Sequence, residues 1–191
     1  MREIEIKIRT NNLNAIKQKL AERGCVLSEP ISQHDQIYSR VGSTEEWENS
    51  KEGHVVMRIR RMPQGAEFNL KMQRSNEMDN LEYETKIDDP DAMHQILAIL
   101  GYAPQVTVKK LRRKGKLADY EICLDEVEEL GSFVELEKLT SDDANPEVVK
   151  KELLKVLELL GLSKNDEETR GYDTQIYYLH HANHNIKTQN F

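Results

Sequence analysis

What this chain has little of narrows the field before any motif is read. Its 191 residues hold two cysteines, Cys25 and Cys123, too few for a disulfide framework or a zinc knuckle. Five prolines and nine glycines are scattered along the chain and nowhere gather into a linker. Apolar runs stop well short of the roughly 18 residues that a membrane helix needs. The opening Met1-Arg2-Glu3-Ile4-Glu5 lacks the apolar stretch of a signal peptide. Positive charge is in deficit as well. Against 34 acidic residues stand 27 Lys and Arg, a net charge of −7 with a pI near 5.5. Such a chain has no general affinity for nucleic acid or anionic membrane, although a local basic pocket stays open to it. The expectation is one soluble, cytoplasmic domain over residues 1–178 and a polar tail over 179–191. That length buries a core without covalent staples.

What is present is alternation. In Glu3 to Arg9, isoleucines 4, 6 and 8 point one way and Glu3, Glu5, Lys7 and Arg9 the other, the period of a strand with one apolar face. The same pattern recurs in 54–61, 67–73, 81–86, 106–113, 118–125 and 132–138, with a shorter stretch at 35–38. Pro63 and Gly65 mark a hairpin turn, and Gly115 marks another between the strands 106–113 and 118–125. Three helices interrupt the strands. The first follows Asn12 and buries Leu13, Ile16 and Leu20; the second starts at Asp89-Pro90 and buries Met93, Ile96, Leu97 and Leu100. The third follows Asn145-Pro146, and 168–181 reads as a last helix. The polar stretch from Val41 to Gly53, which carries Trp47, reads as a long loop or flap. The class is α+β with an antiparallel sheet.

One charged strand face is usually a solvated edge. Here the charged faces accumulate, and their residue types are sorted. Three E-x-E pairs occur, Glu3/Glu5, Glu82/Glu84 and Glu135/Glu137. Residues i and i+2 of a strand stand side by side, so each pair is costly unless a cation bridges it. At the same spacing come Arg58/Arg60 and Lys110/Arg112, with Lys7 and Lys71 beside them. Paired basic side chains suit a phosphate chain, and carboxylates suit a hard divalent ion. Together they describe a metal–polyphosphate site.

In this setting Glu3-Ile4-Glu5-Ile6-Lys7 resembles the E-x-E-x-K signature of the CYTH superfamily, the triphosphate tunnel metalloenzymes. The remaining pieces follow in that family's order: Met57-Arg58-Ile59-Arg60, Leu70-Lys71, Glu82-Tyr83-Glu84, Lys110-Leu111-Arg112, Asp125 and Glu135-Leu136-Glu137. Within the family the chain looks most like the bacterial class IV adenylyl cyclases, through Gln33 to Tyr38, Leu100-Gly101-Tyr102 and Thr169-Arg170-Gly171-Tyr172. Gly171 stands where that branch often has Ser. Glu137 is kept where some cyclase-like members lack it, which leans toward the triphosphatases.

The resemblance implies an eight-stranded antiparallel β-barrel with flanking helices, its lumen binding a nucleoside or organic triphosphate together with Mg²⁺ or Mn²⁺. It implies Glu3, Glu5, Glu135 and Glu137 as metal carboxylates, and Lys7, Arg58, Arg60, Lys71, Lys110 and Arg112 as phosphate-holding groups. Asp125, Glu82 and Glu84 would orient the basic groups or the nucleophile. Lys7, Arg60, Lys110 and Asp125 are the residues expected to carry the reaction. The expected reaction converts ATP to cyclic AMP and pyrophosphate. Hydrolysis of thiamine, inorganic or nucleoside triphosphate is the alternative, and non-catalytic binding a third. A homodimer is left open. Outside this set, His180, His181 and His184 read as part of a solvated tail and both cysteines as small buried side chains. The basic run 109–116, without interleaved aromatics, reads as a hairpin lining the phosphate site.

Overall fold

A computed structural model describes residues 2–42 and 51–187, the last six by backbone alone. Eight strands alternate as expected: β1 (Arg2–Thr10), β2 (Ile31–Arg40), β3 (Val55–Met62), β4 (Gly65–Asn76), β5 (Asp79–Ile87), β6 (Tyr102–Leu117), β7 (Tyr120–Val127) and β8 (Gly131–Thr140). They close into a barrel in the order β1-β5-β4-β3-β2-β6-β7-β8, every neighbouring pair antiparallel. Closure removes the sheet edges that an open version would expose.

Strand register sorts the side chains. The outward residues Ile4, Ile6 and Ile8 are fully buried with Ile122, Leu124, Val134 and Leu136 beneath α1 (Leu13–Glu22) and α3 (Pro146–Leu159). Each helix starts at a side-chain cap. Asn12 accepts from the Ala15 amide at 3.1 Å and Asn145 from the Glu147 amide at 3.0 Å. Lys19 donates to the Leu160 carbonyl at 2.8 Å, tying the end of α3 to α1.

Three expectations are corrected. Helix α2 (Pro90–Ile99) buries only Leu97 fully, with Met93 partly covered, while Ile96 and Leu100 are exposed. It rests on a narrow strip around Tyr38 and Ile59, so one ridge of the helix suffices. Gly115 is not a turn: β6 runs through it to Leu117, and the chain reverses at Ala118, whose φ is +54°. Glycine is needed there because a β-carbon would lie 2.8 Å from Cys25 Sγ and 3.0 Å from the Val26 carbonyl. The last helix, α4 (Tyr172–Lys187), starts later than residue 168. Glu167 bridges to Ile8 and the Glu168 amide donates to the Lys7 carbonyl at 2.8 Å, which holds that segment extended along β1. Trp47 lies outside the described residues.

α4 covers one end of the barrel, packing Tyr172, Ile176 and Tyr177 against Ile37, Val106, Val108, Val127 and Phe133. Its entry is anchored by Glu77 in the β4–β5 turn, which accepts from the Gly171 amide at 2.6 Å and the Thr174 hydroxyl at 3.0 Å. On the outer face Arg2 grips Asp79 with two bonds of 2.8 Å and donates to the carbonyls of Asp142 and Ala144.

Candidate active site

The barrel encloses a cavity of about 400 Å³, within the range of small-molecule sites. Twelve of the thirteen residues proposed from the sequence line it; the thirteenth, Asp125, is fully buried beneath Arg112, Lys110 and Tyr172. The alternation that puts isoleucines under the helices turns these charges inward.

Two guanidinium forks organise the cationic part. On β3, Arg60 Nε and a terminal nitrogen each donate to Asp35 of β2 at 2.7 Å. Arg58 approaches the same carboxylate at 3.5 Å. On β6, Arg112 Nε donates to Asp125 of β7 at 2.7 Å, and Lys110 Nζ lies 3.5 Å from that carboxylate. Arg112 also bonds Glu135. Burial alone would push both aspartates up. The adjacent Arg58 and Arg60 hold Asp35, and Arg112 and Lys110 hold Asp125, well below the ordinary carboxylate range. Each aspartate therefore fixes an ionised arginine in a single orientation. Lys110 has less support: burial and Arg112 bring its ammonium down to about 8.

The acidic part faces it. One carboxylate oxygen from each of Glu5, Glu135 and Glu137 lies within 4.8 Å of the others. Burial and mutual repulsion raise Glu5 and Glu137, whereas Arg112, Lys110 and Lys7 outweigh burial and keep Glu135 ionised. Three buried carboxyls, one held ionised and two raised by burial and by its proximity, all offer oxygen and fit a hard divalent cation. Glu3 is outside this triad but near enough to raise Glu137 further. Lys71 Nζ is 2.9 Å from Glu3 and 3.1 Å from Glu82. Both carboxylates support the Lys71 ammonium, Glu3 first; burial nevertheless lifts Glu3 to about 7, while Lys71 and Arg58 hold Glu82 low. Asn69 also donates to Glu82. Glu84 sits exposed at the rim.

Some site residues carried no assigned role in the sequence reading. Asp35 is one; its signal was the inward phase of Gln33, Asp35 and Ile37 on a strand paired with the arginines of β3. Tyr172 is another. Lys7 Nζ lies 4.4 Å and Lys110 Nζ 4.9 Å from its ring centre, and its hydroxyl donates to Asp125 at 3.0 Å. Among the described residues, the histidines join no metal-like cluster. His180 pairs with Glu129 at 2.9 Å and His181 with the Tyr177 carbonyl at 2.8 Å. Both cysteines are buried and free; Cys123 stands on the inward face near Glu121 and Glu137, and burial raises its thiol well above the ordinary range.

Comparison with known proteins agrees with this geometry. A family model described as the CYTH domain matches residues 1–172. A provisionally named adenylate cyclase of Methanocaldococcus jannaschii is 28% identical over 174 residues, covering 90% of this chain and 97% of that protein. The adenylate cyclase CyaB of Aeromonas hydrophila is 27% identical, covering 90% and 87%. Among solved structures, a Hippeastrum protein bearing the adenylyl cyclase name and described as having a dominant triphosphatase activity superposes with a TM-score of 0.62. It is 17% identical, with 94% and 95% of the two chains covered, a likeness of fold. Among the described residues no helix is long and apolar enough to cross a membrane.

Proposed function

The chain belongs to the CYTH family, and from that premise we propose that its lumen takes ATP and converts it to cyclic AMP and pyrophosphate. The observation that carries this reading is the juxtaposition, in one cavity, of a buried acidic triad with a basic wall whose arginines are already oriented. A pure anion binder gains nothing from carboxylates that repel its ligand. Glu5, Glu135 and Glu137 would hold Mg²⁺ or Mn²⁺. Bound there, the ion polarises phosphoryl oxygens and acidifies the attacking hydroxyl.

The residues of the chain do the rest. Arg58, Arg60, Lys71, Lys110 and Arg112 receive the triphosphate, with Lys7 near Glu135 and Tyr172. As the ribose 3′-oxygen bonds to the α-phosphorus, its proton passes to solvent water and the α-phosphorus to bridging-oxygen bond breaks, the bridging oxygen leaving with the pyrophosphate. Negative charge then grows on the departing pyrophosphate, where forks fixed by Asp35 and Asp125 need no reorientation to meet it. Triphosphate hydrolysis is the second reading. It is favoured by the completeness of the acidic triad, Glu137 included, and by the activity described for the Hippeastrum protein.

One assay separates them. The protein is incubated with ATP, thiamine triphosphate or inorganic triphosphate and either Mg²⁺ or Mn²⁺, and the products are chromatographed. Cyclic AMP with pyrophosphate supports the first reading and orthophosphate the second. Absence of turnover with every substrate and metal would overturn both.

A further inference from the structure

The cavity wall is not charged throughout. Ile37, Val56 and Val108 gather around Tyr172 against α4, with the Lys7 and Lys110 ammonium groups 4.4 and 4.9 Å from the centre of its ring. Met78 joins them, its sulfur 3.9 Å from Lys7 Nζ. Two carboxylates, Glu77 and Asp173, border the same recess and repel a phosphate tail from it. The non-phosphate end of a substrate is the part that fits.

The two carboxylates are not equivalent. Glu77 is engaged by the Gly171 amide and the Thr174 hydroxyl, so it serves the entry of α4. Asp173 lines the cavity and makes no hydrogen bond or ion pair among the described residues. It is folded back over Gly171, where a β-carbon would overlap its carboxylate oxygen. Glycine at 171 is what lets that acceptor lie there. An ionised carboxylate can only accept. It therefore welcomes an N–H₂ group on a ring and opposes a ring carbonyl at the same place.

We infer that the recess around Tyr172 seats the nucleobase, and that Asp173 selects an exocyclic amino group there over a carbonyl. The inference rests on the proposed triphosphate chemistry and fixes the direction of the substrate: base toward α4, phosphates toward the arginines of β3 and β6. Adenine and hypoxanthine, both uncharged, differ at that position by amino against carbonyl. ATP and ITP thus isolate hydrogen bonding from net charge.

The experiment measures kcat/KM for ATP and ITP on the wild-type chain, Asp173→Asn and Gly171→Ala. A hydrogen bond to a charged group supports a preference of about ten- to a hundredfold for ATP in the wild type. In Asp173→Asn the amide can also donate, so the ratio should fall to within a few fold of unity. Gly171→Ala should narrow it as well by displacing the carboxylate. A merely structural defect would lower both substrates together and leave the ratio in place. A wild type indifferent to ATP and ITP, or an Asp173→Asn ratio equal to the wild-type ratio, overturns the inference. Turnover of inorganic triphosphate with neither nucleotide used overturns it while sparing the metal–triphosphate reading. Failure to turn over any triphosphate removes both.

Discussion

Lys110 offers a test that does not depend on which reaction is catalysed. It is buried on β6, 3.5 Å from Asp125 and 4.9 Å from the Tyr172 ring centre. Burial first, then Arg112 and Arg60, brings its pKa from 10.5 to about 8 against the pull of Asp125. That displacement is worth roughly 3 kcal/mol against the ammonium form. Between 8 and 10.5 the folded chain holds fewer protons at this site than the unfolded chain. This group's contribution to stability therefore rises with pH through that window, and its full penalty is present below the window. Anion binding has the opposite sign, because a phosphate chain needs the ammonium. Taking the protonated fraction as ~0.9 at pH 7 and ~0.1 at pH 9, the Kd for inorganic triphosphate without metal should rise about tenfold between them. Lys110→Arg stays charged throughout and should remove that rise. Carboxyls such as Glu3 that also change charge act on both proteins alike, so the readout is the difference between their two pH profiles. Calorimetric titration at pH 7, 8 and 9 measures it. Equal profiles for wild type and Lys110→Arg would refute the reasoning.

The metal centre, the forks and the barrel wall make separate predictions. Glu5→Ala should lose Mn²⁺ binding in a calorimetric titration, and turnover with it. It should melt no lower than wild type, since Glu135 and Glu137 are relieved of a like-charged neighbour; wild-type Mn²⁺ affinity would exclude Glu5 from the site. Asp35→Ala leaves Arg60 buried without its counter-charge and should cost about 3–5 kcal/mol in urea denaturation. Adding Arg60→Ala should cost less than the sum of the two single changes, and strict additivity would show that the fork carries no coupling. Gly115→Ala should lower stability by roughly 1–3 kcal/mol because the new carbon meets Cys25 and a backbone carbonyl; an unchanged denaturation midpoint would mean that this wall yields freely.

Strand alternation made most of the barrel legible. Wherever isoleucine or valine alternated with charge, as in residues 3–9 and 132–138, the period alone settled which side faced the helices. Paired arginines and paired glutamates were visible as lumen groups for the same reason. Partnership across strands was not legible, because it depends on register. Nothing local to Asp35 says that β2 lies beside β3 in the alignment that sets Asp35 opposite Arg60. Gly115 was misread because turns and close backbone approaches both favour glycine. Here the close partner is the segment after α1, nearly ninety positions earlier, bridged through Leu27. The start of α4 was displaced by a backbone tie to β1 that leaves no periodic trace.

The lumen gains little in stability from its charges. Moving ions from water into a buried site costs several kcal/mol each, and even well-made pairs seldom return more than they cost. The apolar face beneath α1 and α3 shows that this sheet can bury isoleucine and leucine without difficulty. A barrel selected only to fold would be filled the same way on its inner face. Instead the inner face divides its ions into two kinds. Asp35 and Asp125 are engaged by arginines. Glu5 and Glu137 crowd each other and Glu135, and burial and repulsion push their pKa values upward even though Arg112 lies 3.7 Å from Glu137. The aspartates hold donors in place, and the crowded glutamates favour further positive charge. A divalent cation and a polyphosphate answer the two halves together: the cation neutralises the glutamates, and the phosphates meet arginine N–H groups already aimed at them. Either ligand alone meets a field of mixed sign. On the proposed reading the arrangement would therefore be most stable with both bound, the condition that phosphoryl transfer requires.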